Sequence, residues 1–223
     1  MKTGVMGKRF ELIVFDWDGT LMDSAGAIVA CIQSAAIGMG LAPPSEQRAR
    51  HVIGLGLREA LRYALPQLEE GRHAELADRY RRCYLSQDHQ LKLFDGIFEL
   101  LQELSEAKVP LGVATGKSRK GLDRAMEVSR LRPYFPATRC ADECHSKPHP
   151  QMLEELMAEF GVPPEVTLMI GDTTHDIEMA HSAGAGALAV SYGAHSRRDL
   201  EAVAPLHCVD TVTELAEWLR LHA

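Results

Sequence analysis

Asp16 and Asp18 stand two residues apart in the string Phe15-Asp16-Trp17-Asp18-Gly19-Thr20-Leu21, directly behind the apolar run Leu12-Ile13-Val14-Phe15. A short apolar run closed by Asp and Gly reads as a central strand of a parallel sheet, and open α/β folds bind ligands at the carboxyl ends of such strands. Two carboxylates at that edge repel each other unless a cation joins them. A hard divalent ion with oxygen ligands, magnesium first among them, relieves the repulsion and would also neutralise an incoming phosphate. An Asp-x-Asp pair alone also serves as a helix cap or a turn. Here the strand ahead of it, the tight reversal that Gly19 permits and the hydroxyl of Thr20 sharpen the signal.

Three more strings follow in order. Leu111-Gly112-Val113-Ala114 runs into Thr115-Gly116-Lys117, Ser146-Lys147-Pro148-His149-Pro150 precedes a helical pattern, and Thr167-Leu168-Met169-Ile170 leads into Gly171-Asp172-Thr173-Thr174-His175-Asp176. Each has a plainer meaning by itself: a helix N-terminal turn with a solvated Lys117, a loop lysine, a capped helix start. The ordered conjunction of four such strings at strand ends favours a reactive site.

Together they resemble the four signatures of the haloacid dehalogenase superfamily, in its phosphoglycolate phosphatase-like branch with a helical cap, over the chain from about Phe10 onward. The resemblance implies Asp16 as the nucleophile that forms an aspartyl-phosphate. It implies Asp18 as the acid and then base for leaving group and water, with its backbone carbonyl on the metal. Magnesium would be held by Asp16, Asp18 and Asp172, while Asp176 is a further ligand or orients water from behind. Thr115, the Gly116 amide and Lys147 would bind the phosphoryl oxygens, and the charge of Lys147 is expected to keep Asp16 ionised. An acid at position 18 favours phosphate chemistry, because dehalogenase members lack one there. His149 and His175, beside these strings, are assigned no catalytic role, and Met22 and Met39 read as gap fillers.

The elements that would position these groups follow from periodicity. Besides the strand ending at Phe15, strands are expected at Leu111 to Ala114, Thr138 to Cys140, Thr167 to Ile170, Ala187 to Val190 and His207 to Val209. Helical spacing recurs at Ile97, Leu100, Leu101 and Leu104, at Leu153, Leu156, Met157 and Phe160, and at Val212, Leu215, Ala216 and Leu219. This alternation predicts an α/β fold with a Rossmann-like parallel sheet. The stretch 23–91 breaks it, with helical patterns separated by Pro43-Pro44, Gly54, Gly56 and Pro66. It is expected as an inserted α-helical cap domain, leaving 1–22 and 92–223 as the catalytic core, with hinges near Leu21 to Ser24 and Lys92 to Gly96. The alternative is that these helices pack rigidly into the main core.

Composition narrows the partners. With 223 residues and 46% apolar content the chain can build a substantial core, and its formal charge of −7 argues against sequence-independent nucleic-acid binding. No run approaches the roughly 18–20 apolar residues of a membrane span, and Met1 to Arg9 lack a signal-like apolar stretch. A cytoplasmic monomer or homodimer acting on a small phosphorylated metabolite is expected, without membrane association. Five scattered cysteines, Cys31, Cys83, Cys140, Cys144 and Cys208, suggest reduced thiols rather than a disulfide framework. Cys140, Cys144 and His145 lack a second pair at zinc spacing.

The resemblance puts a phosphoglycolate-like monoester first among substrates. His51-Val52-Ile53-Gly54-Leu55-Gly56-Leu57 resembles a cap loop facing the site, and Val190-Ser191-Tyr192-Gly193 a late strand and loop of the same group. His51, Arg58 and Arg62 are the cap candidates for substrate recognition, although an Arg on an amphipathic helix is more often solvated. A β-phosphoglucomutase-like phosphoryl transfer shares all four signatures and stays open, as does a non-catalytic phosphate-binding module.

Overall fold

A computed structural model describes residues 9–223; the reading of the amino-terminal stretch falls almost wholly outside them. Six parallel strands form one sheet: β1 (Leu12–Phe15), β2 (Leu111–Thr115), β3 (Ala137–Cys140), β4 (Thr167–Gly171), β5 (Gly186–Val190) and β6 (His207–Val209). Their order is β3-β2-β1-β4-β5-β6, so chain order reverses at β1, which pairs with β2 on one side and β4 on the other. That reversal opens the crevice in which doubly wound sheets place ligands. Every residue of β1, β2 and β4 is buried, as expected of strands covered by helices on both faces.

One helical layer, α5 (Ile97–Glu106), α6 (Arg119–Ser129) and α10 (Val212–His222), shares an apolar cluster with Ile13, Phe15, Val113 and Ile170. The other, α7 (Gln151–Phe160), α8 (Thr174–Ser182) and α9 (Arg197–Ala202), packs on Leu12, Val14 and Met169. Strand alternation sends neighbours to opposite faces, which is why successive residues of β1 fall into different clusters. The expected strands all form, and the weak one near Thr138 starts one residue earlier, at Ala137.

Between β1 and α5 lie α1 (Ala25–Ile37), α2 (Glu46–His51), α3 (Leu57–Ala64) and α4 (His73–Gln87), with short 3₁₀ turns after α3 and α4. They build an apolar cluster of their own, including Ile28, Ile32, Val52, Leu61, Leu65 and Leu76, to which, among the described residues, the sheet region adds Ala194. Two chain segments connect them to the sheet, and these run side by side. Asp23 N–H donates to the Lys92 carbonyl at 2.9 Å, Phe94 N–H donates to the Leu21 carbonyl at 3.1 Å, and Met22 bridges Leu93.

The cysteine expectation is corrected here. Cys31 of α1 and Cys83 of α4 form a disulfide with their Cα atoms 5.5 Å apart, while Cys140, Cys144 and Cys208 remain free thiols. The two partners lie 52 residues apart in sequence and meet only because α1 and α4 pack against each other. Among the described residues no helix is long and apolar enough to cross a membrane.

Candidate active site

Asp16 is the first residue after β1. Its neighbours Phe15 and Trp17 turn into the apolar cluster against Phe135, with ring centroids 6.1 and 6.5 Å away. Asp16 and Asp18 therefore turn toward the sheet's carboxyl edge. There Gly19, at φ +86°, brings its backbone so close to Asp172 that any side chain at position 19 would collide with that carboxylate. Only glycine takes such a φ without cost. Asp172, the first residue after β4, accepts from Thr20 Oγ1 at 2.8 Å and from the Ala194 amide at 2.7 Å. The loop after β5 thus helps to hold Asp172, and Tyr192 fixes it further by donating to the Thr20 carbonyl at 3.1 Å.

Lys147 lies between two acids. Its Nζ is 2.8 Å from Asp16 Oδ1 and donates to Asp176 Oδ1 at 2.6 Å, with all three side chains essentially inaccessible to solvent. The other oxygen of Asp176 accepts from the amide and hydroxyl of Thr173, at 3.1 and 2.7 Å, closing a capping box at the start of α8. Asp176 is therefore both a helix cap and the anchor of Lys147.

Ligand oxygens of Asp16, Asp172 and Asp176 all lie within 4.8 Å of one another. Three buried carboxylates face one ammonium; Asp16 Oδ1 meets only Lys147, and Asp16 Oδ2 has no donor. A buried carboxylate with one oxygen lacking any donor is costly. Oxygen donors with excess negative charge fit a hard dication, and these residues would hold one. Burial pushes the Asp16 carboxyl up from 3.8 to about 7; Lys147 opposes this, and Asp176 and Asp18 add to it. Desolvation thus outweighs the ion pair, and Lys147 draws the carboxyl back toward its ionised form only in part. Burial likewise raises Asp172 well above the usual range, helped by Asp16 and Asp176.

Thr115 ends β2 fully buried, its hydroxyl accepting from the Lys117 amide at 3.2 Å. Gly116 is a close-approach position: a Cβ there would lie 2.5 Å from the carbonyl oxygens of Gly54 and Leu55. The loop between α2 and α3 therefore rests directly on the turn that carries Thr115. Its other attachments are the Gly56 amide to Ser146 Oγ at 2.8 Å and the His51 carbonyl, which accepts from His175 Nε2 at 2.8 Å and His195 Nε2 at 3.3 Å.

The rings of His51, His175 and His195 gather within metal-binding distance. His195 Nδ1, however, accepts from the Thr174 amide at 3.1 Å, which assigns the proton to Nε2 and directs it at the His51 carbonyl. Burial, then His175 and His51, lower His195 to about 4, so it works as a neutral donor. The imidazoles of His175 and His195 are committed to fastening the loop.

Asp18 is surrounded by residues that sequence reasoning did not bring together. Its Oδ1 accepts from Ser24 Oγ at 2.7 Å and from Tyr84 Oη at 3.2 Å, and its Oδ2 lies 3.0 Å from Lys117 Nζ. Lys117, open to reading as solvated, is instead nearly buried, its side chain 10% exposed. Tyr84 reaches the site from α4 and stacks on Tyr80, with centroids 5.9 Å apart. The i, i+4 pair of tyrosines on α4 was the available signal. Arg58 and Arg62 do not join the site. Both pair with Glu70 on the exposed surface, where their side chains are 76% and 45% accessible. Of the cap candidates only His51 lies at the join, through its carbonyl and ring.

Comparison with known proteins identifies the family and the fold. Residues 13–190 match the family described as haloacid dehalogenase-like hydrolase. A Dickeya dadantii protein named "Probable phosphatase IndB" is 34% identical over 92% of this chain and 91% of its own length. Pyrophosphatase PpaX of Bacillus cereus is 28% identical over 93% of this chain and 95% of its own. A crystal structure of a predicted phosphoglycolate phosphatase from Haemophilus somnus superposes with a TM-score of 0.83 at 26% identity, covering 94% of this chain and 97% of that one.

Proposed function

The chain belongs to the haloacid dehalogenase-like hydrolases, and from that footing we propose that it is a magnesium-dependent phosphatase of small phosphate monoesters, phosphoglycolate-like ones first, working through an aspartyl-phosphate. One observation carries this reading. Asp16 presents a buried carboxylate whose Oδ2 has no donor and whose Oδ1 meets only Lys147, beside Asp172 at the sheet's switch point. A purely structural carboxylate would have donors on both oxygens, as Asp172 and Asp176 have.

In the first step an Asp16 oxygen attacks phosphorus, and the bond from phosphorus to the ester oxygen breaks. Asp18 supplies the proton that the departing oxygen needs. Lys147, Thr115 and the Gly116 amide balance charge gathering on the phosphoryl oxygens. In the second step Asp18 takes a proton from water, the water oxygen bonds to phosphorus, and Asp16 is released as carboxylate. A dication held by Asp16, the Asp18 carbonyl and Asp172 would supply electrostatic neutralisation of the phosphoryl group. Asp176 serves by holding Lys147.

Asp16, Thr115, Asp172 and Lys147 are at most 2% exposed, so substrate entry requires residues 23–91 to swing away from the sheet as a cap on the two paired connections. Residues 92–223, with the segment ending at 22, form the core in this account. Screening phosphate release from a panel of monoesters under magnesium is the test: release that is abolished by chelation is expected, and release from none would defeat the phosphatase reading.

The acid cluster also couples metal to pH. A carboxyl raised in the folded state, as Asp16 is from 3.8 to about 7, contributes stability that is complete below its unfolded value. That contribution is lost as pH rises through the folded one. The metal-free protein should thus lose thermal stability on going from about pH 4 to above about pH 7. Magnesium binds the ionised form and releases the proton, so its stabilisation should be larger at about pH 8 than at about pH 6. Thermal unfolding with and without magnesium reads this out, and equal shifts at both values would count against Asp16 and Asp172 as ligands.

A further inference from the structure

The phosphoryl chemistry above leaves one buried cation unused. Lys117 stands on the Asp18 side of the site, as Lys147 stands on the Asp16 side, and the two ammoniums are held by different acids. Asp18 must meet the ester oxygen that departs. The groups clustered on Asp18 therefore surround the place where the leaving group sits.

Lys117 Nζ is 3.0 Å from Asp18 Oδ2 and donates to Tyr84 Oη at 3.0 Å. An ammonium has three N–H donors, and among the described residues these two partners are the ones it meets. Burial disfavours its charge, but Asp18 and Tyr84 outweigh that and hold it protonated. Tyr84 is in turn hydrogen-bonded to Asp18 and belongs to α4, so the pair joins a loop of the sheet domain to a helix of the inserted one.

Resting on the phosphatase reading, we propose that Lys117 and Tyr84 form a receptor for an anionic leaving group, so that the preferred substrates carry a second negative charge, carboxylate or phosphoryl, next to the scissile ester oxygen. Bringing the leaving oxygen against Asp18 competes with the contacts Asp18 makes to Lys117 and Tyr84. An anion arriving with the leaving group replaces what those two residues give up: an N–H of Lys117 and the hydroxyl of Tyr84 turn from Asp18 to it. A neutral leaving group offers nothing in exchange and leaves a nearly buried ammonium short of a counter-charge. Selectivity then comes from a core lysine and a tyrosine brought down by the cap. Arg58 and Arg62 are spent on Glu70 at the surface.

The test compares kcat/KM for 2-phosphoglycolate with that for 2-hydroxyethyl phosphate, a near isostere whose leaving group is neutral, in magnesium buffer. Inorganic pyrophosphate runs alongside to tell a receptor selective for carboxylate from one that also takes phosphoryl. The wild-type protein should favour an anionic substrate over the neutral ester by about tenfold or more, the size expected for hydrogen bonds to a charged group. Lys117→Met should draw the ratio toward one, Lys117→Arg should keep part of it, and Tyr84→Phe should reduce it. A wild-type ratio near or below one overturns the receptor while leaving the phosphatase reading intact, and needs no variant to fold. A ratio unchanged in Lys117→Met also overturns it. Failure of the wild-type protein to hydrolyse any of the three, or any monoester, overturns both.

Discussion

Asp16→Asn is expected to lower phosphate release from p-nitrophenyl phosphate by at least about a thousandfold, with no loss of the folded state. The amide matches the carboxylate in shape, so the packing around β1 is retained. What it lacks is the charge that attacks phosphorus. In the native protein that charge is not free: burial holds the carboxyl up at about 7, and the adjacent ammonium and a dication must favour the ionised form. The substitution removes a buried acid from a cluster with three carboxylates and one lysine. Melting temperature in the absence of metal should therefore stay level or rise while turnover disappears. Stability and activity moving together would point to a structural role, and turnover near wild type would remove Asp16 as nucleophile.

Asp18→Asn should produce the second largest loss, about 10²- to 10⁴-fold in kcat for an alkyl phosphate, the usual contribution of a placed acid and base. The defect should shrink for p-nitrophenyl phosphate, because that leaving group departs without a proton. Ser24 and Tyr84 can still donate to the side-chain oxygen of Asn, so the local framework survives apart from the ion pair to Lys117. Rates for a series of esters with increasingly acidic leaving groups would show a steeper dependence in the variant than in the wild type. Parallel slopes would mean that Asp18 does not protonate the leaving oxygen.

The middle of the sheet was legible because β1, β2 and β4 are short, wholly buried and largely apolar runs that end at polar residues. Asp16, Thr115 and Asp172 were found at the ends of β1, β2 and β4 for that reason, and the order of the strings put them on one edge. Lys147 was legible from its string, although its grip on Asp176 was not, since that contact depends on how α8 starts. Contacts from the inserted helices were hidden. Tyr84 reaches Asp18 across 66 positions of sequence, and Cys31 meets Cys83 across 52. Both depend on the phase at which α4 packs on α1 and over the sheet edge, which residue types alone do not fix. Lys117 looked solvated because a lysine after Thr-Gly carries no mark of burial; only the arrival of Tyr84 and the proximity of Asp18 enclose it. Arg58 and Arg62 were misleading in the opposite sense. They stand on the exposed face of α3, whose other face buries Ala60, Leu61 and Ala64, and Glu70, beyond α3, takes both charges.

The most direct measurement is an acid quench of the magnesium-loaded protein during turnover of a phosphate ester, followed by peptide mapping of the phosphorylated site. The account predicts a phosphoryl group on the peptide containing Asp16, absent from Asp16→Asn and discharged as turnover is completed. A phosphoryl group on any other residue, or steady turnover with Asp16 never modified, would contradict it.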